Sequence, residues 1–432
     1  MAQQRWLRII PVALIMYMIA YVDRTNISLA LEPQLSSLMK DLHMNNTMAG
    51  EASGIFFIGY TVLQMAAGYW ALRWGGRRLV SVFLVAWGIC AIGCGLARTF
   101  GQFGFMRFLL GVAESGVFPA TAVLFANWFP ESERARSTAY WLACQPLAVA
   151  GTSPITSQLL GSYGWQTTLI LEGVFPILWL PVWWFCIRDF PHEAKWISAE
   201  ERNYIETTLA SERSHLESAP HIPLVRRLGH PSVLVAVVLY FFHNCAAYGC
   251  MTFFTRRLKA GGFSPLEYGI LFALPYALSV VVMILLSRHS DKVRERRRHL
   301  SVLYFCCGTS LVLSVILTGH FWLSYVLLCL AIPGPFAGMP PFWAVISETQ
   351  PRSAMGTVMG LVNALGNLGG WAGPAATGWL TDVYHSTSVP FGALGAGMVL
   401  CSGLALLLPK SPQRAQLPTG AAVPSPSAAA TA

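Results

Sequence analysis

The sequence predicts an all-α polytopic membrane protein, twelve transmembrane helices in two pseudo-symmetric six-helix bundles, and three observations carry that prediction. Charged residues are only 11% of the 432, against 54% hydrophobic ones, and the mean hydropathy is +0.52. A soluble domain carries about a quarter charged residues. Apolar runs of the ~20 residues needed to cross a bilayer recur along the whole chain, and one long charged connection divides them six and six.

The runs fall at 7–30, 52–72, 79–98, 102–127, 136–160, 165–187, 232–255, 266–288, 300–318, 321–346, 354–379 and 388–408. The first follows MAQQRWLRII directly and contains Asp23 and Arg24. Charges there, without a small-residue cleavage site, mark a retained span and not a signal peptide. Basic residues gather between even and odd spans. Arg73, Arg77 and Arg78 follow the second, and Arg134 and Arg136 the fourth. Arg288, Lys292, Arg294, Arg296, Arg297 and Arg298 follow the eighth, and Arg352 the tenth. Cytoplasmic loops carry the excess of Lys and Arg, so these loops and both termini are expected in the cytoplasm, in the plasma membrane of a bacterium (the inner membrane). Arg256, Arg257 and Lys259 stand on the other side, against the rule locally.

These runs delimit an N-terminal bundle at 1–188, a cytoplasmic central loop at 189–230, a C-terminal bundle at 231–410 and a disordered cytoplasmic tail at 411–432, rich in Ala, Pro and Ser. In the loop, 198–209 reads as a short surface helix, with Ser198 as N-cap and Glu201 three residues on, a capping-box spacing. The segments 68–78 (GYWALRWGGRR) and 287–297 (SRHSDKVRERR) occupy the same place in each half. They fit an internal repeat with a site between the halves, although positive-inside loops alone also account for their basic content. Most of the ten cysteines lie within apolar runs and read as reduced core residues. No metal-ligand spacing, catalytic triad, HExxH or phosphate-loop pattern is present. The chain is therefore not expected to be an enzyme, nor to need a cofactor or a metal. Its net charge of +9 sits in a few loops, which points to topology and not to nucleic acid.

The stretch 105–119, FMRFLLGVAESGVFP, is too apolar for a water-exposed helix yet carries Arg107 and Glu114. Seven residues at about 100° each bring the two to nearly one face, two turns apart. A charge at the bilayer centre costs roughly 2.5–3.5 kcal/mol on insertion scales, so charges persist there when a polar cavity or a partner receives them. Asp23 and Arg24 make a second such pair. Arginine offers a planar fork for a carboxylate while staying charged, which makes Arg24 and Arg107 candidates for binding an anion. Asp23 and Glu114 are either proton carriers or the fixed counter-ions of those arginines; burial and a nearby guanidinium push a carboxyl's protonation in opposite directions. Glu172 lies near the start of its run, where packing, gating and transport roles are all open, and Glu51 reads as solvated.

The chain resembles the major facilitator superfamily over about residues 8–408, and within it the anion:cation symporter family. The superfamily's loop motif is met by Gly68, Arg73, Gly75, Arg77 and Arg78, but Leu72 stands at the Asp position, which counts against the usual N-half gating ion pair. The second copy keeps Asp291 and Lys292, with Ser287 for the first Gly. Family-level segments are YVDRTNISLA, RFLLGVAESGVFPA with NWFPESERARS, LEGVFPILW, HEAKWISAEER and NALGNLGGWAGP, similar to phthalate, tartrate and hydroxyphenylacetate permeases. The resemblance implies proton-coupled uptake of a small organic anion by alternating access, a carboxylate such as a sugar acid, a dicarboxylate or an aromatic acid; the alternative is an exporter of drugs or metabolites by proton antiport from the same superfamily. It implies a monomer in the lipid bilayer, with the anion and protons as its partners. In related symporters the arginines matching Arg24 and Arg107 are implicated in binding and coupling.

Polar and aromatic residues expected to face the cavity are Tyr60 and Gln64 on span two, Gln145 on span five, and His243, Asn244 and Tyr248 on span seven. Trp343 on span ten, and Asn363 and Asn367 on span eleven, complete the set. Each alone is more often a helix-to-helix hydrogen bond than a ligand. The small-residue runs around Gly111, Gly366 and Gly395 read as packing surfaces.

Overall fold

A computed structural model describes residues 4–217, 229–293, 295–317, 319–349 and 352–410, nearly all of them helical. The expected tail at 411–432, Arg294, and the side chains of Lys259 and Arg352 lie outside the described residues. Among the described residues, nine helices are long and apolar enough to span a membrane, and the bent pair Asn46–Val62 and Ala66–Trp74, angled by 53°, makes a tenth. The segment Arg136–Cys186 reverses at Gly164, whose φ of 75° lies in the left-handed region that glycine tolerates, and so supplies two crossings. Arg352–Tyr384 supplies the last: it is long enough, but Gly, Ala and Asn keep it less apolar.

Local chemistry explains several boundaries. Asn45 accepts the Met48 N–H at 2.8 Å and Thr99 that of Gln102 at 3.2 Å, each capping a helix start. Span four is interrupted at Ser115–Gly116 and span five at Ala143, just before Gln145 and Pro146. The central-loop helix Ala199–Glu217 runs longer than the sequence suggests. Its capping box is half formed: Ser198 Oγ accepts the Glu201 N–H at 3.2 Å. The Glu201 carboxylate instead binds the Gln4 N–H and Arg5, whose guanidinium also reaches Glu133 at 2.5 Å. This knot of buried ions ties the first helix, the fourth-to-fifth connection and the central loop together on one side of the molecule.

Each half packs on itself, and the halves meet along two matched seams. Asn46–Val62 lies against Arg352–Tyr384, and Pro265–Val293 against the segment Cys144–Cys186. A twofold relating the halves exchanges span two with eight and five with eleven, so the seams are images of each other. Backbones approach closely there. A Cβ on Gly50 would collide with the Pro374 carbonyl, and one on Gly269 with Pro154 and Ser157. Hydrogen bonds across the seams lie toward the end of the molecule away from the Arg5 knot. The Asp382 carboxylate accepts from the N–H groups of Asn46 and Thr47 and from both their side chains, at 2.6–3.2 Å. Ser53 and Thr252 share a hydrogen bond of 2.8 Å, and Tyr268 donates to Gln34. That end is sealed.

Candidate functional site

Between the halves lies a cavity with about 540 Å³ of space free of protein atoms, the open solvent at its mouth included. Arg24 is the one charged side chain among its described lining residues. Tyr60, Gln145, His243, Asn244, Tyr248, Trp343, Asn363 and Asn367, all expected from the sequence, also line it. Gln64 does not: the chain breaks at Leu63, so Gln64 no longer shares a face with Tyr60, and it is buried with its amide unpartnered.

Arg24 and Glu114 form the centre of the charge arrangement, in contrast to the sequence pairing of neighbours along each helix. Arg24 Nη2 and Nε donate to Glu114 Oε2 at 3.0 and 3.2 Å, and both residues are buried. The guanidinium also lies over four rings, with the Tyr60 centroid at 4.7 Å and that of Phe56 at 5.1 Å. Glu114 Oε1 is buried with no hydrogen-bond partner. Arg107 makes no ion pair with Glu114; it donates to the backbone carbonyls of Asp23 at 2.9 Å and Ala52 at 3.3 Å. The Asp23 carboxylate accepts from Trp87 Nε1 at 2.6 Å. Asp23 and Arg107 line a second, smaller cavity of about 220 Å³ behind the first, with Asn26, Cys94 and Phe103. Glu172 is fully engaged by neutral partners, Thr156 and Asn26, at 2.6 Å each.

Sequence reasoning missed Tyr17, Tyr21 and Tyr240 in the cavity wall. Tyr21 and Tyr17 were accessible to it, because they stand one and two turns before Arg24 on the same helical stripe. The C-terminal wall is braced by its own hydrogen bonds: His243 Nδ1 with Tyr304 Oη at 2.8 Å, Asn244 to the Gly366 carbonyl at 3.0 Å, and Asn367 Nδ2 to Asn363 Oδ1 at 3.3 Å. Tyr21 and Tyr248 hydroxyls meet across the halves at 3.3 Å.

The two motif loops lie away from the cavity. At the first, Leu72 is exposed, and Asp189 from the end of span six supplies an acid: it accepts the Arg77 N–H at 2.8 Å, at the start of the Gly76–Gly95 helix. Gly75, with φ of 87°, leaves the room that this carboxylate occupies. Burial pushes the Asp189 carboxyl up from its ordinary value, against the pull of the Arg77 N–H. Arg77 itself stacks on Trp184 at 3.9 Å, Arg73 lies over Tyr69, and Arg78 is exposed. Gly68 packs near Pro119. In the second loop Arg296 bridges Asp291 and Glu348, while Lys292 is exposed.

Helices that close on one side around a charged cavity, in two matched halves, define a polytopic membrane carrier. The Major Facilitator Superfamily model matches residues 13–374, and the chain belongs to that superfamily. A candidate tartrate transporter of Agrobacterium vitis is 30% identical, over 94% of this chain and 91% of its own length. A quinolone resistance transporter of Acinetobacter baumannii is 26% identical over 92% of each. Among solved structures, the inward open conformation of the xylose transporter XylE from E. coli aligns with a TM-score of 0.73 at 14% identity. It covers 93% of this chain and 96% of that one, and shows the shared fold.

Proposed function

We propose that this protein is a proton-coupled symporter that takes up a small organic anion, a carboxylate, by alternating access. The bundles at 1–188 and 231–410 rock about the cavity, and the end carrying both termini faces the cytoplasm. The observation that carries this reading is the buried Arg24–Glu114 pair at the cavity wall. An arriving carboxylate competes with Glu114 for Arg24. Stripping one partner from a buried ion pair costs about 3–5 kcal/mol, unless Glu114 takes up a proton as it lets go. Anion and proton then enter together. Asp23, behind the wall with Arg107, offers a second proton site. The tartrate-transporter relative supports an acidic substrate.

With the inside negative, each inward positive charge gains about 2.3 kcal/mol per 100 mV. A monoanion with one proton gains nothing from the voltage and follows the pH gradient; a second proton makes uptake voltage-driven. Reconstituted protein tests the assignment. Arg24→Ala is expected to lose anion binding. Glu114→Gln is expected to keep exchange of bound anion and to lose pH-driven accumulation. Normal acid uptake in Arg24→Ala, or normal pH-driven accumulation in Glu114→Gln, overturns it.

The quinolone-resistance relative favours a second reading, proton-driven export. A cation exporter is expected to line its cavity with acids, and here the charged lining residue is an arginine. Reduced cellular accumulation of a quinolone on expression, with no acid uptake, would establish export instead.

A further inference from the structure

We infer that the anion carries a single carboxylate and that the remainder of the molecule is uncharged and hydroxylated, a polyhydroxy monocarboxylate. This rests on the organic-anion reading above and narrows it. Two features of the cavity lead there.

The first is charge balance. Among the described lining residues the cavity offers one guanidinium, Arg24, and its partner Glu114 is the acid that must be neutralised for it to be released. Arg107 faces the separate small cavity and is held by backbone carbonyls. One carboxylate and one proton therefore leave the wall neutral. A second carboxylate would face a wall with no second cation and would be held by neutral hydrogen-bond donors alone.

The second is the hydrogen-bonding character of the opposite wall. Asn244, Asn363, Asn367 and His243 are buried and line the cavity. In the bonds described above Asn244 donates and keeps an amide oxygen; Asn367 donates and keeps its own oxygen, while Asn363 accepts and keeps its NH₂. His243 uses Nδ1 and keeps Nε2. The wall thus presents acceptors as well as donors. A carboxylate only accepts, whereas a hydroxyl both donates and accepts. A bare aromatic ring would leave these groups unpaired. Hydroxyls match them, and the tyrosines and Trp343 around them can lie against the C–H faces of the same chain.

The test is a binding measurement on the purified full chain, by ligand-dependent shift of thermal stability, with matched probes. These are the six-carbon aldonates as a stereoisomer panel, the corresponding aldarates, hexanoate, benzoate and sorbitol. The expected result is that at least one aldonate binds at least ~10-fold tighter than its aldarate, hexanoate and benzoate, and that sorbitol gives no shift. Asn367→Ala is expected to reduce the preference for that aldonate over hexanoate by ~10-fold or more, with hexanoate binding unchanged; a merely structural effect would weaken both alike. An aldarate, hexanoate or benzoate that binds as tightly as every aldonate overturns the inference while leaving organic-anion transport standing. No shift with any acid overturns both.

Discussion

The carboxylate of Asp382 offers a direct handle on the conformational equilibrium. It receives two backbone N–H groups and two side chains from Asn46 and Thr47 of the other half, at 2.6–3.2 Å, and caps the helix that starts there. These contacts join the two halves at the end away from the Arg5 knot, so opening there is expected to break them. A hydrogen bond to an ionised group contributes about 1.5–3 kcal/mol when buried, but Asp382 is partly exposed, and exposed charge contacts contribute about 0.2–1 kcal/mol each. Four of them sum to roughly 2 kcal/mol, and at tenfold per 1.4 kcal/mol Asp382→Ala should move the equilibrium ~30-fold toward opening at this end. Ser53, hydrogen-bonded to Thr252 inside the seal, reports it. In a background without native cysteines, Ser53→Cys should react with an impermeant maleimide added outside, and Asp382→Ala should raise that rate by about the same factor. An unchanged or slower rate would show that Asp382 does not hold the seal.

Other perturbations follow from the same geometry. Gly50→Leu places a side chain where the Pro374 carbonyl sits, so it should force this seal open and abolish transport while expression persists; normal transport would refute close approach as a requirement. Arg5→Ala leaves Glu133 and Glu201 without their shared cation, and loss of one partner from a buried pair costs about 3–5 kcal/mol. Faster proteolysis within Ala199–Glu217 and a lower Tm are expected. Asp189 carries a carboxyl raised by burial, so keeping it charged at neutral pH works against the fold, and its stabilising share declines as pH rises through that elevated value. Asp189→Asn, which still accepts the Arg77 N–H, should match or exceed wild-type Tm at pH 8. Asp189→Ala, which removes the cap, should lose about 1 kcal/mol.

Spans are legible in this chain because length and hydropathy are local properties. Arg24, Tyr60 and Asn363 are legible as cavity residues because polarity inside an apolar helix needs a reason. Pairing is another matter. Periodicity puts Arg107 and Glu114 on one face, yet Glu114 pairs with Arg24 from another helix, because Arg107 is taken up by the backbone carbonyls of Asp23 and Ala52. Gln64 fails for a related reason: an ideal helix is assumed through Leu63, where this one breaks. Asp189 could not be assigned to the motif loop at all, because its partner lies 112 residues away in sequence.

Among the described residues, every buried Asp, Glu and Arg precedes residue 202, while the second bundle contributes buried amides, hydroxyls and one imidazole. On the proposed mechanism the acids that take up protons therefore share the first bundle with Arg24, and the second bundle adds neutral hydrogen-bonding groups to the cavity wall. If the proposed mechanism holds, chimaeras that join this N-terminal bundle to the C-terminal bundle of a relative should keep the need for Arg24 and Glu114 and shift in substrate choice toward that relative. A carrier built this way can change the neutral groups that line its cavity in the second bundle while the buried charges of the first stay as they are.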